Sequence, residues 1–384
     1  MKKIAFLGYH TDTNLGDPLI CKTVKYLFKQ SIPEPTEWIP INIRDCFDCK
    51  RTKRNKRLEW LFVFLRKVSH HIPWNGFYDW RVRLAAKAIE NTMGDADWGI
   101  VAGGGVIHYT FHESWLGVCA FIRACKKKQI PVAMNAVGVE GFDIHDHKCQ
   151  LLYHYLNEPT VHYISTRDDF DSLKQYIADS SPIRIEKTVD PAIFCSSLFN
   201  NTKDEQSQTI GIGLIRKNIL RDYKSYTAPI DLAKYYAQLY QGILEKGFTP
   251  SFFTNGNEED LDIVPDIEKK LGHSIEVSVP SSLEQLISII TSYKGIITAR
   301  MHSCIIAYSY RVPAVAFVWN EKIAFWGRRI NQPDNFIPIS ALNAPHAINI
   351  LMTNFTMEDD AEWRRTLETQ CLESIQQAVH LLYS

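Results

Sequence analysis

In the stretch "GIITARMHSCIIAYSYRVPAVAFVW", residues 295–319, an arginine and a histidine, Arg300 and His302, stand where a buried strand gives way to a helix. The apolar runs 295–299 and 312–318 read as parallel strands, and the segment between them has helical period. A helix opening offers unbonded amides and partial positive charge, arginine a bidentate fork, and imidazole a proton acceptor and donor near pH ~6.5. That combination suits a phosphate or carboxylate ligand and a proton transfer. The plainer readings are a core histidine and a solvated arginine. Arg216 ends the strand-like "IGIGLIRKN", and Arg167 and Asp168 follow another strand in "YISTRDDFDSL".

Two more strand ends carry polar or flexible residues. After Lys3–Leu7 comes "GYHTDTNLGDPLI", in which Asp17 before Pro18 reads as a helix N-cap, with Asn14 and Gly16 lining a site beside it. "GIVAGGGVIHYTFHES" places Gly103, Gly104 and Gly105 after a strand, where missing side chains let a backbone approach a ligand; the run matches neither GxGxxG nor a Walker loop. Either His108 or His112 is expected near a bound acceptor, and the sequence does not choose between them.

The elements that must position these residues alternate along the chain. Strand runs at 3–7, 98–102, 132–137, 161–165, 209–215, 249–253, 295–298 and 314–318 are separated by helical patterns such as 19–28, 115–127, 232–246 and 283–292. This is the rhythm of parallel α/β sheets, in which ligands bind beyond the carboxyl ends of strands. With 384 residues, 45% hydrophobic and 22% charged, the chain has room for two domains. The polar break "NNTKDEQSQ", residues 200–208, is the expected linker. The fold class read from this is α/β, two Rossmann-like domains facing across a cleft. They span 1–200 and 209–345, and a terminal helix, 358–384, packs back on the first.

Lys plus Arg and Asp plus Glu are both 43, so no global charge argues for a nucleic-acid partner, and the charge argument is local. Neither a secretory signal nor an apolar run of about 20 residues is found, which reads as cytoplasmic. Nine irregularly spaced cysteines suit a reduced core, and Cys46 with Cys49 is a lone CxxC without a second ligand pair. No metal or cofactor is expected.

Taken together, these segments resemble the polysaccharide pyruvyl transferases, which attach pyruvate from phosphoenolpyruvate to sugars as a ketal. The resemblance runs in order through "NLGDPLI", "AGGGVI", "NAVGVEG", "STRDDFDSL", "VDPAIF", "IGIGLIR", "TARMHSCIIAYSYRVPAVAF" and "NEKIAFW". It implies a fold similar to the GT-B arrangement of glycosyltransferases. It also implies that Arg216, Arg300 and His302 hold and act on phosphoenolpyruvate. Asp17 and the Gly103–Gly105 loop would then lie on the acceptor side, with Asn14 and a histidine, His108 or His112. His302, Arg300 and Asp17 are the expected catalytic residues, and Lys322 matches a family lysine.

The region 46–83 has no counterpart in the resemblance. It packs six Lys/Arg into residues 50–57 and follows them with an apolar run from Leu58 to Leu65 broken by Glu59. Such a segment is expected to touch an anionic bilayer through residues 50–67, at the inner face of the cell membrane, and suits a lipid-linked sugar acceptor of galactose type. The alternative there is a solvated basic loop. Rival functions are a nucleotide-sugar glycosyltransferase of the same fold and a non-catalytic carbohydrate- or phosphate-binding protein.

Overall fold

A computed structural model describes residues 1–46, 75–110, 113–222, 230–357 and 359–384. Two compact units emerge: Met1–Thr11, Ile20–Asp190 and Gln370–Ser384 form the first, Asp12–Leu19 and Pro191–Thr369 the second.

Among the described residues, the first unit is built on a seven-stranded parallel sheet. Its strands are β1 (Lys2–Gly8), β2 (Thr36–Asn42), β3 (Trp98–Val101), β4 (Gly104–Ile107), β5 (Val132–Val139), β6 (Val161–Thr166) and β7 (Arg184–Lys187). They lie in the order β2-β1-β3-β5-β6-β7, with β4 pairing β5 off the main path. Every residue of β5 is buried, as a strand covered on both faces requires, and all but Asn135 are apolar or glycine. The helix Ser114–Lys128 supplies Trp115, Phe121 and Ile122 to the core, and the helices Asn75–Met93 and His147–Leu156 pack with it.

β5 is irregular: its register against β6 shifts between Met134 and Val137, and Ala136 has φ +52°. Side chains replace the ladder bonds lost there. The Ala136 amide donates to Ser165 Oγ at 2.9 Å, and Asn135 Nδ2 donates to Ser374 Oγ at 3.2 Å. Ser374 Oγ also lies 3.1 Å from Ser165 Oγ and 2.7 Å from the Tyr163 hydroxyl. Ser374 belongs to the terminal helix Ala361–Tyr383, whose last residues therefore complete the first unit, and His162 Nδ1 meets the Leu381 carbonyl at 2.9 Å.

The second unit carries a six-stranded parallel sheet. Its strands are β8 (Thr209–Gly213), β9 (Thr249–Phe253), β10 (Val277–Ser278), β11 (Gly295–Thr298), β12 (Ala314–Val318) and β13 (Phe336–Pro338). Their order is β10-β9-β8-β11-β12-β13. By appearance this runs third, second, first, fourth, fifth, sixth, the Rossmann order, with the connections reversing direction between β8 and β11.

The units divide elsewhere than the polar break suggests. Residues 191–199 join the second unit because the apolar "PAIFC" turn docks on the helix Met301–Ser309: Ser309 Oγ donates to the Ile193 carbonyl at 2.7 Å, and the Tyr310 hydroxyl to Phe199 at 3.0 Å. The break itself is tied along the helix Leu283–Thr291, with Asp204 N donating to Thr291 at 2.9 Å and Ser207 Oγ to Ser292 at 2.7 Å. Residues 47–74, which hold most of the basic insert and Cys49, lie outside the described residues. Among the described residues, no helix is long and apolar enough to cross a membrane.

Ser374→Ala removes the hydroxyl shared by Asn135, Ser165 and Tyr163 in a buried site. The expected cost is about 1–3 kcal/mol, read as a lower urea midpoint at unchanged slope. A wild-type midpoint would show that this hydroxyl does not anchor the terminal helix.

Candidate functional site

β8 and β11 are neighbours at the reversal point of the second sheet, and the chain leaves each in opposite directions along it. Such a crevice outside the carboxyl ends of strands is where open α/β sheets bind ligands. Arg216 follows β8, and Arg300 and His302 follow β11. The two strands approach closely because residue 213 is glycine: a Cβ there would lie 2.3 Å from Thr298 Oγ1.

One carboxylate joins the two arginines. Asp260, in the 3-10 turn Glu258–Ile263, has no exposed surface. It accepts from Arg300 Nε at 3.1 Å, from a second guanidinium nitrogen of Arg300, and from the Arg216 backbone amide at 3.0 Å. Burial pushes its carboxyl above the usual carboxylate range, against the pull of the Arg300 guanidinium and the Arg216 amide. A buried carboxylate of this kind is tolerated because it is paired and hydrogen-bonded. The Arg300 fork, expected from sequence to grip an anion, thus gives two of its nitrogens to Asp260. The Arg216 side chain is more exposed, at 23%, and its Nε lies 3.7 Å from Glu259.

Backbone contacts fix the rest of this corner. The Arg300 amide donates to Thr298 Oγ1 at 3.2 Å, and Trp319 Nε1 donates to the Ala299 carbonyl at 2.8 Å. Arg300 is the N-cap residue of the helix Met301–Ser309, with φ −106° and ψ 116°, and its side chain makes no cap hydrogen bond. The first-turn amides are therefore not capped by that side chain, and the helix end carries partial positive charge. His302, in that first turn, is buried.

Asn14, Gly16 and Asp17 belong with this corner and not with the first domain, where the sequence reading put them. Loop 12–19 docks on the turn after β9: Leu15 N donates to the Asn255 carbonyl at 3.1 Å, and Asn255 Nδ2 donates to Asn14 Oδ1 at 2.8 Å. The expected Asp17 cap also differs. The helix begins at Gly16, so Asp17 lies inside its first turn, and its carboxylate accepts from Asn14 Nδ2 at 3.0 Å.

In the first unit the strand ends hold the other predicted residues. Gly103 and Gly104 are buried, and Gly104 opens β4 with φ +112°. A Cβ at residue 103 would meet the Ala136 carbonyl at 2.5 Å, so that glycine is required by packing on β5. Gly105 alone of the three retains partial exposure. His108 is buried, with Nδ1 3.2 Å from Glu140 Oε2, and the same oxygen accepts from the Tyr109 amide at 3.0 Å and the Thr110 amide at 3.2 Å. His112 lies outside the described residues. Arg167 is paired with Asp190 in the interior, while Asp168 accepts from the Val139 amide at 2.9 Å and ties β6 to β5. Neither is a solvated strand-end charge.

Sequence reasoning missed Asp260, Asn255 and Glu140. Asp260 sits in "NGNEEDLD", an acidic run that reads as solvent-facing, and nothing local distinguishes it from Glu258, Glu259 or Asp262. Glu140 lies within the quoted "NAVGVEG", where a carboxylate beside glycines at a strand end was the available signal. Among the described residues, no group of three or more His, Cys, Asp or Glu is arranged to hold a metal.

Solved structures share the fold. UDP-GlcNAc 2-epimerase from Methanocaldococcus jannaschii is 12% identical, with 96% of this chain and 99% of that one covered at a TM-score of 0.55. The Neisseria meningitidis UDP-GlcNAc 2-epimerase bound to UDP-GlcNAc is 10% identical over 100% of both chains, TM-score 0.53. A spinosyn rhamnosyltransferase complexed with spinosyn aglycone is 9% identical over 100% of both, TM-score 0.51. At such identities the likeness concerns fold alone, and it agrees with two Rossmann-like domains of the GT-B kind. Among curated proteins, none matches the sequence. The family model for polysaccharide pyruvyl transferase matches residues 14–321, from the Asn14 loop through β8, β11 and His302 to the start of the helix Glu321–Arg329. The chain belongs to the polysaccharide pyruvyl transferase family.

Proposed function

We propose that the protein transfers pyruvate from phosphoenolpyruvate to two hydroxyls of a sugar, forming a cyclic ketal and releasing phosphate. The observation that carries this reading is the pairing of Arg216 and Arg300 through Asp260 at the reversal point of the second sheet, with His302 in the adjoining helix turn. Family membership supports pyruvyl transfer, and the cationic corner supports a small, highly charged donor.

Phosphoenolpyruvate carries a carboxylate and a phosphate, so its pocket must be locally positive in a protein whose formal net charge is +0. Arg216, Arg300 and the opening of the helix Met301–Ser309 supply that field. A proton adds to the methylene carbon and makes C2 electrophilic. One sugar hydroxyl adds at C2, the bond from C2 to the phosphate oxygen breaks, and the second hydroxyl closes the ring. The two hydroxyls release two protons, of which one balances the new methyl group and the other leaves on phosphate. His302 is assigned to carry a proton at the donor, to the methylene carbon or to the departing phosphate. The acceptor reading assigns the sugar to the strand ends of the first unit, where His108 and Gly105 lie. A galactose-type residue on a lipid carrier is the acceptor class this reading favours.

His302→Asn is expected to keep the fold and lower kcat by about 10²–10⁴-fold, and Arg216→Ala to raise KM for phosphoenolpyruvate by about tenfold or more. Both are followed by phosphate release with a galactose-type acceptor and by mass detection of the ketal. Wild-type turnover in His302→Asn would remove the imidazole from the reaction. If a nucleotide sugar, and not phosphoenolpyruvate, gives product, the chain is a glycosyltransferase; if neither does while sugar binds, it is a binding protein.

Asp260→Asn takes the anion from beside the Arg300 guanidinium. A stability loss of about 3–5 kcal/mol is expected, with phosphoenolpyruvate bound about tenfold more weakly at temperatures where the variant is folded. Calorimetry checks both, and unchanged affinity would show that the Arg300 orientation does not matter to the donor.

A further inference from the structure

The His302 ring lies directly against the backbone of Gly16. A Cβ built on Gly16 would fall 2.1 Å from His302 Nδ1, 2.3 Å from Cγ and 2.6 Å from Cβ, distances no side chain tolerates. The loop carrying Gly16 is itself held from the same side. Asn255, 1% exposed, donates through Nδ2 to Asn14 Oδ1 at 2.8 Å and accepts through Oδ1 from Ser303 Oγ at 3.0 Å. Ser303 is the residue after His302. Gly256, at φ +91°, lets the turn close on the loop: its Cβ would fall 2.6 Å from the Thr13 carbonyl and 2.8 Å from Leu15 Cγ.

The geometry assigns loop 12–17 as the seat of the His302 imidazole, with Gly16 and Asn14 as positioning residues for the proton transfer at the donor. Gly16 forms the surface on which the ring rests. Asn14, through Asn255 and Ser303, holds that surface in register with the helix turn that carries the ring. A methyl group at residue 16 meets His302 Cβ as well as the ring, so rotation of the imidazole does not relieve it: loop 12–17 must move away from the helix turn, and the ring loses its seat while Asp260 still holds the Arg300 guanidinium. Catalysis then suffers and donor affinity does not, because the arginines and the helix terminus still hold the anion. The kinetic part of this assignment rests on the phosphoenolpyruvate reading, whereas the seating of the ring does not.

The test uses full-length protein labelled with ¹³C at histidine Cε1, the His302 signal being identified by its loss in His302→Asn. Gly16→Ala is expected to move that signal, to lower kcat by about 10²-fold, and to leave the phosphoenolpyruvate Kd within about threefold of wild type. Asn14→Ala is expected to do the same to a smaller extent, and it decides the matter if Gly16→Ala does not fold. An unmoved His302 signal in a folded variant overturns the assignment, as does a Kd that rises as much as kcat falls. A wild-type protein that makes no ketal from phosphoenolpyruvate, with the His302 signal still displaced in the variants, overturns the donor reading and upholds the seating of the ring.

Discussion

Asp260 is a carboxylate with no access to solvent, and the corner that carries the cationic residues is organised around it. An isolated charge in such a place would be severely unstable, so its environment must deliver donors, and it does so from two strand ends at once. The Arg300 guanidinium comes from beyond β11 and the Arg216 amide from beyond β8. A single buried anion thus sets the spacing of two segments 84 residues apart in sequence, since removing either donor leaves charge uncompensated. The glycine at 213, under Thr298, lets the strands come close enough for this to work.

Local charge, not net charge, is what this fold supplies. Equal numbers of acidic and basic residues leave the molecule neutral, yet Arg216, Arg300 and a helix end converge at one reversal point. Asp260 at the Arg300 guanidinium and Glu259 beside Arg216 offset part of that positive charge, and Asp260 fixes the direction of the Arg300 fork. For the donor site proposed above, such an arrangement gives up some attraction for an anion and gains preorganisation, which matters more where charge redistributes during a reaction. Family membership supports pyruvyl transfer, and the solved structures of similar fold supply only architecture.

The way the units divide changes how the amino-terminal motif is read. "TNLGD" follows the first strand of the chain and by position reads as part of the first domain, but residues 12–19 are held by the turn after β9. Terminal residues 370–384 do the converse, leaving the second unit to satisfy Asn135 and Ser165 beneath the irregularity of β5. In both cases a buried backbone or amide group without a ladder partner is satisfied by a segment distant in sequence.

The amino-acid sequence by itself determined the interior of both sheets. β1, β3, β5, β6, β8, β9, β11 and β12 lie within the sheets, and most read as apolar runs because they are covered on two faces. The strands it did not disclose are β2, β7, β10 and β13, the four outermost, together with the glycine-rich β4 beside the main path; half-exposed edges such as "TEWIPIN" and "RIEK" need no continuous apolar run. Arg216, Arg300 and His302 were legible because residue type and strand-to-helix position are local properties. Only tertiary structure decided that Asp260, one acid among four, is the buried one, that Arg167 is internally paired, and that Gly16 lies under the His302 ring. The reason is physical: burial and partnership are properties of what surrounds a residue in space, and an acidic run carries no mark of which carboxylate the fold will enclose.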